Sequence, residues 1–268
     1  METIIDENIK KLGKADVHMH SNFSDGQPSI EKILDYVENK TELDIIAITD
    51  HDTIKGALKA RKIAKKRKFR FEIIIGEEVS SIEGHIVALF IKKRISPGLS
   101  AHDTLLNIKK QGGIAILAHP FYQTKMLDKN KNTMGGVGII ATIKEKDLYH
   151  GIEVINGTPV MMVKENNMAQ FINHTLLFKS EIGASDAHIL KGIGKGYTMF
   201  EGKTAKDLKE AILTGQTRAM SDKWDIKAVI RLAFFFVPEG IRLGIYGLMH
   251  YRENRKFRVP TVKLKRFK

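Results

Sequence analysis

Asp44-Ile-Ile-Ala-Ile-Thr-Asp-His51 is an apolar run of strand length that stops on a carboxylate and an imidazole. The same meeting of strand edge and ionisable side chain recurs at Asp16-Val-His18-Met-His20, Gly76-Glu77-Glu78, Gly84-His85, Ala118-His119-Pro120 and Ser185-Asp186-Ala187-His188, and Ser24-Asp25-Gly26 adds another carboxylate. Side chains two apart on a strand point to one face, so His18 and His20 make a bidentate clamp. Imidazole suits zinc, iron and manganese, while carboxylates such as Glu78 and Asp186 can bridge two cations and offset their repulsion. Nine such groups along the rim of one sheet predict a multinuclear metal centre.

Outward from these stretches, strand-length apolar runs alternate with amphipathic helical patterns. Strands are predicted at 14–20, 44–49, 71–76, 85–91, 113–118, 151–155 and 181–185, and helices at 29–39 with a Ser29 cap, at 54–68, and at 101–111 with Asp103 near its start. The alternation predicts a mostly parallel sheet covered by helices. If the sheet closes into a β/α barrel, chemistry gathers at the carboxyl ends of its strands, where His18, His20, His51, Glu78, His119, Asp186 and His188 fall. His85 opens its strand, so that strand is expected to run against the others.

The chain has 268 residues, 43% of them apolar, enough for one large core. It has no cysteine, which excludes disulfides and thiolate ligands. Residues 1–10 carry no apolar signal core, and a cytoplasmic protein is expected. The net charge of +13 favours anionic partners. The basic run Arg61–Arg70 reads as a solvated helix face with Ile63 and Ala64 on its buried side, whereas the tail from Arg252 holds eight basic residues against one acidic.

In order along residues 14–188, His18-x-His20, Asp25, Thr-Asp-His51, Gly-x-Glu78, His85, Ala-His119-Pro and Ser-Asp186-Ala-His188 resemble the motifs of the polymerase and histidinol phosphatase (PHP) domain superfamily. Two later stretches, from Gly194 and from Asp207 to Gly215, resemble the short segment that often follows it. The resemblance implies a distorted seven-stranded β/α barrel over residues 1–222, with 223–268 as a helical, basic extension. It also implies phosphoester hydrolysis at two or three ions of manganese, zinc or iron, with metal-bound hydroxide as the nucleophile. By motif, one ion falls to His18, His20, Glu78 and Asp186. A second shares Glu78 and takes His85 and His119, and a third takes Asp25, His51 and His188, the three expected nearest the chemistry. Glu78 is preferred to Glu77 as the bridging group.

Asp16, Asp50 and Asp52 flank the histidines and either accept their free ring protons or stand as surface or capping carboxylates. His102, His150, His174 and His250 match no motif and read as surface or core histidines. Only 34 positions separate His85 from His119, too few for the helical lid that nucleotide-cleaving relatives often insert there. Residues 121–149, with Gly135, Gly136 and Gly138 and with Lys125, Lys129 and Lys131, read as a mobile cover instead. The expected substrate is a small phosphorylated metabolite or nucleotide. The alternatives are an exonuclease on short oligonucleotides and a non-catalytic metal-stabilised nucleic-acid-binding module. Residues 226–249 are apolar but too often interrupted by charge for a comfortable membrane span. They are expected to pack on the barrel, form a homodimer interface, or anchor peripherally to an anionic membrane with the basic tail, which could also touch nucleic acid.

Overall fold

A computed structural model describes residues 12–122, 135–159, 162–230 and 232–234. The chain divides into two compact units, Met1–Ala228 and Val229–Lys268. The run Ala233–Val237 and the basic tail lie outside the described residues apart from Ala233 and Phe234. No helix among the described residues is long and apolar enough to cross a membrane.

All seven expected strands are present: β1 (Leu12–Asp16), β2 (Ile45–Ile48), β3 (Glu72–Ser80), β4 (His85–Leu89), β5 (Ile114–Leu117), β6 (Gly151–Asn156) and β7 (Ser180–Ala184). Two more, β8 (Gly196–Glu201) and β9 (Thr217–Ser221), correct the count among the described residues to nine. Nothing in Thr217-Arg-Ala-Met-Ser221 marks a strand; its pairing with β8 supplies what its composition does not. The sheet runs β7-β6-β5-β4-β3-β2-β1-β8-β9. Within the first seven, β4 is antiparallel to both neighbours and the remaining pairs are parallel, as the position of His85 at a strand start requires.

The three expected helices are α1 (Ile30–Lys40), α2 (Lys55–Lys66) and α3 (Ala101–Lys110). Ser29 caps α1 by accepting the amide of Lys32, and Ser100 caps α3 by accepting that of Asp103. Three others, α4 (Gly138–Lys144), α5 (Val163–Ile172) and α6 (Ala205–Thr214), were not marked in the sequence. On α2, burial centres on Gly56, Ala57 and Ala60, while Ile63 and Ala64 are only half-buried and the basic side chains face outward.

Alternate residues of one strand enter different cores. Ile45 and Ala47 join the cluster with Val87, Ile116 and Ile182, whereas Ile46 and Ile48 pack with α1 residues Ile33 and Leu34. Leu208, Ala211 and Ile212 of α6 complete the first cluster. The Ala205 amide at the start of α6 bonds Glu72 at the start of β3, and Ile212 takes the hydroxyl of Ser180 at the start of β7. Helix α6 therefore plugs the end where the strands begin and leaves the opposite end for the side chains of interest.

Closure happens at that opposite end. Past β1 the chain stays extended, and Met19 bridges Ala187 past β7. The His20 amide donates to Ala187 O (2.9 Å) and the Asp186 amide to His18 O (2.8 Å). Lower down, Thr198 of β8 bonds both backbone groups of Gly183, through Oγ1 (3.1 Å from the amide, 2.8 Å from the carbonyl). Gly183 is needed there: a Cβ would lie 2.3 Å from Tyr197 O.

Candidate metal centre

Eight of the nine groups are carried by a strand end or the segment just past it, and Asp25 sits in the turn between β1 and α1. His18 and His20 lie on the extended continuation of β1, His51 just after β2, Glu78 near the end of β3 and His85 at the start of β4. His119 follows β5, and Asp186 and His188 follow β7. His119 and Asp186 adopt left-handed backbone, φ 27° and 51°, a costly conformation for residues with a Cβ that turns both side chains off their strand axes.

The structure brings all nine together around Glu78. Its Oε2 lies 3.1 Å from His18 Nε2, 3.2 Å from His20 Nε2 and 3.3 Å from His51 Nδ1. Its Oε1 lies 3.0 Å from His85 Nδ1 and 3.1 Å from His119 Nε2. Asp186 Oδ1 stands 3.2 Å from His20 Nε2, and Asp25 Oδ2 is 3.2 Å from His188 Nε2 and 3.6 Å from His51 Nε2. Four overlapping groups have the spacing of a metal site: His18/His20/Asp186, His18/Glu78/His119, His51/Glu78/His85 and His20/Asp25/His51/His188. They depart from the motif grouping in placing His20 also beside Asp25 and His51 also beside His85. The floor is buried, and Asp25, with its side chain 53% exposed, is the open edge.

Charge is arranged to match. Burial alone would push Glu78 up, yet His18, His51, His85 and His119 hold it well below the usual carboxylate range, and neighbouring histidines do the same for Asp25 and Asp186. Burial opposes charge on His20 too, but Asp186, Glu78 and Asp25 outweigh it and push its pKa up to about 10. His51 goes the other way, to about 4, because burial outweighs Glu78 and Asp25.

The donor set fits metal ions. His20 Nδ1, His51 Nδ1, His85 Nδ1 and Glu78 Oε2 are buried and lack hydrogen-bond partners, although the three ring nitrogens lie 3.0 to 3.5 Å from carboxylate oxygens. Close approach without hydrogen-bond direction is what side chains aimed at a shared cation display. Two ring nitrogens facing one another at 3.2 Å, His18 Nε2 and His20 Nε2, fit the same account.

Of the two roles expected for the flanking aspartates, the structure gives them the second, capping backbone amides and not ring nitrogens. Asp16 accepts the amides of Ser185 (3.0 Å) and Gly194 (2.8 Å), Asp50 those of Ser21 (2.7 Å) and the Ser24 hydroxyl, and Asp52 the Ser80 amide (2.8 Å). They fasten the backbones that carry Asp186, Asp25 and His51. Glu77 turns away from the cluster, its Oε2 accepting the Ile95 amide at 2.9 Å. The carboxylate that meets imidazole nitrogen from behind is Glu153, which accepts from His18 Nδ1 (3.1 Å). Its signal in the sequence is a lone charge inside the apolar stretch Gly151-Ile-Glu-Val-Ile155.

One further expectation changes. Gly135, Gly136 and Gly138 are not hinges: the His85 amide donates to Gly135 O, Gly136 to Tyr122 O and Gly138 to Pro120 O, all at 2.8 to 2.9 Å. A Cβ on Gly136 would sit 2.2 Å from His119 O. Residues 123–134 of the expected cover lie outside the described residues. Of the unmatched histidines, His102 pairs with Glu145, His150 accepts the Ala115 amide and His174 pairs with Glu181; His250 lies outside the described residues.

A plugged barrel whose open end gathers six imidazoles and three carboxylates has the donors of a metal centre. A sequence profile of the PHP domain matches residues 16–233, and the chain belongs to the PHP domain family. It is 39% identical over 118 residues to an uncharacterized protein of Methanocaldococcus jannaschii, covering 40% of this chain and 68% of that one. Its fold is similar to a two-domain Bacteroides vulgatus protein containing a predicted PHP-like metal-dependent phosphoesterase (TM-score 0.61, 23% identity, 83% of this chain and 69% of that one). It is also similar to endonuclease Q in complex with a 27-mer duplex bearing an abasic lesion (TM-score 0.51, 16% identity, 75% and 56%).

Proposed function

We propose that His18, His20, Asp25, His51, Glu78, His85, His119, Asp186 and His188 hold two or three divalent ions and that the protein hydrolyses the phosphoester of a small phosphorylated metabolite or nucleotide. The observation that carries this reading is the Glu78 carboxylate, buried with both oxygens shared among five imidazoles. A single structural ion is closed by four ligands, and this constellation offers more than twice that number. An all-nitrogen and oxygen donor set suits manganese, zinc or iron. When bound, clustered ions of this kind supply Lewis acidity toward phosphoryl oxygens and lower the pKa of water.

The chain's own residues do the rest. Glu78 and Asp186 offset the charge gathered on the floor, so that a dianionic phosphate and the ions can be held in one place without excess charge of either sign. Asp25, His51 and His188 form the rim that a substrate meets first, and we assign them the contacts nearest the reacting group. Asp25, half-exposed yet held ionised by its histidine neighbours, is available there as a hydrogen-bond acceptor at neutral pH. Between β4 and β5 the chain forms only α3, whose Leu105 and Ile108 are buried, so no helical lid from that connection covers the rim.

A second reading, cleavage of short oligonucleotides, draws on the net charge of +13 and on the likeness in fold to endonuclease Q. Phosphate release from stripped protein reloaded with manganese, zinc or iron separates the two, assayed against phosphomonoesters, nucleoside bisphosphates and short oligonucleotides. An Asp186→Ala control ties turnover to this centre. Turnover of the small esters that the control loses supports the proposal. No turnover despite verified metal loading sinks it and favours a binding module, to be sought through salt-dependent nucleic-acid affinity.

A further inference from the structure

Residues three apart on a regular strand project to opposite faces, yet Glu153 and Asn156 of β6 both reach the metal centre. The register with β7 explains this. Glu153 lies opposite Ile182 and Ile155 opposite Gly183, so β6 spends one residue more than its partner. Val154 is the extra residue of a bulge, packed in the same outer cluster as Ile152. A bulge resets the alternation beyond it and re-aims the side chains that follow.

The two re-aimed side chains form one buried network, 2% and 3% exposed. Glu153 Oε1 accepts from His18 Nδ1 (3.1 Å), while Oε2 accepts from the His119 amide (2.7 Å) and from Asn156 Nδ2 (3.1 Å). Asn156 Nδ2 also donates to Asp186 Oδ2 (3.1 Å). The amide orientation is fixed, because Asn156 Oδ1 already accepts the Thr158 amide at 3.0 Å. Asn166 of α5 bonds both backbone groups of Asn156, each at 3.0 Å. Two side chains thus touch three of the nine candidate ligands, at His18, the His119 backbone and Asp186.

We propose that Glu153 and Asn156 are a positioning pair: Glu153 holds His18 with its proton on Nδ1, leaving Nε2 for a metal ion, and Asn156 holds Asp186 by donating between two carboxylates that would otherwise repel. The inference rests on the metal-centre reading above. With the proton on Nδ1, the Nε2 lone pair of His18 faces Glu78 and Asp186, at 3.1 and 3.6 Å. Glutamine at 153 has one acceptor for the His119 amide and presents an NH2 group to His18, which favours the tautomer with Nε2 protonated. Alanine at 156 leaves Asp186 free to rotate and two carboxylates facing without a donor between them.

The test uses the full chain, with zinc affinity measured by competition against a chromophoric chelator and melting temperature measured in excess chelator. Glu153→Gln and Asn156→Ala should each weaken zinc binding by about 10- to 100-fold, while the melting temperature in chelator falls by no more than the about 4 to 8 °C that one lost buried hydrogen-bond partner costs. The double variant should fall short of the product of the two losses, because both act through one network. Affinity equal to wild type in both single variants overturns the proposal. So does a melting temperature in chelator more than about 8 °C below wild type, since that marks a purely structural role. If Glu153→Gln does not fold, Asn156→Ala alone decides between these outcomes. A wild type that takes up no zinc, manganese or iron refutes the metal centre itself, and the positioning role with it.

Discussion

Replacing Gly136 with alanine is expected to damage the centre without touching any of its nine side chains. The added Cβ would lie 2.2 Å from His119 O, 2.4 Å from Pro120 C and 2.5 Å from Pro120 Cα, where ordinary contact begins near 3.4 Å. All three neighbours are backbone atoms, so no side chain can swing aside, and relief requires the His119-Pro120 turn to retreat by about 1 Å. His119 Nε2 now stands 3.1 Å from Glu78 Oε1. The stability cost should reach the upper end of overpacking, about 3 kcal/mol. At about 2 to 4 °C per kcal/mol for a unit of this size, the melting temperature in chelator should drop by about 6 to 12 °C. A misplacement of about 1 Å can also cost about 100-fold in turnover. Gly112→Ala is the control: its φ is +68° but a Cβ there meets nothing within 4 Å, so it carries only the backbone penalty, about 1 kcal/mol. Calorimetry and metal titration of both variants are the assay. A Gly136→Ala protein that melts and binds metal like wild type would refute the close-packing account and restore the reading of this stretch as a flexible cover.

Glu78→Gln leaves five imidazoles without their shared carboxylate; breaking a buried charge contact of this kind costs about 3 to 5 kcal/mol, so metal affinity should fall by roughly two to four orders of magnitude in a chelator competition. Thr198→Val keeps the shape but strands both backbone groups of Gly183, and the melting temperature should fall by about 4 to 8 °C for a cost of about 2 kcal/mol. Burial and Lys179 lower the pKa of His150 below its ordinary 6.5. Its contribution to stability is therefore complete above that value and is lost as the pH falls below it, because the unfolded chain takes the proton more readily. His150→Gln keeps an acceptor for the Ala115 amide and does not titrate, so the melting-temperature gap between wild type and variant should narrow from about pH 7.5 to about pH 5.5; a gap that stays constant contradicts the linkage. Chelation should lower the wild-type melting temperature, since about 4 kcal/mol of stabilisation accompanies a ligand at 1,000 times its dissociation constant.

The sequence by itself determined the seven barrel strands, the reversed direction of β4 and the nine side chains at the rim. Each of these depends on local pattern: apolar runs such as Ile45–Ile48 that end on an ionisable residue, and His85 standing before its strand instead of after it. What surrounds the nine came from long-range pairing, which no local pattern encodes. Asp16, Asp50 and Asp52 look like imidazole partners because they are neighbours in sequence, yet the folded chain gives them backbone amides from elsewhere to accept. Glu153 takes the imidazole role from 135 positions away, and it shares a face with Asn156 only because β7 advances one residue fewer than β6. Gly136 reads as freedom in one dimension and is an obligation in three, since the space for its missing side chain is already filled by the turn that carries His119.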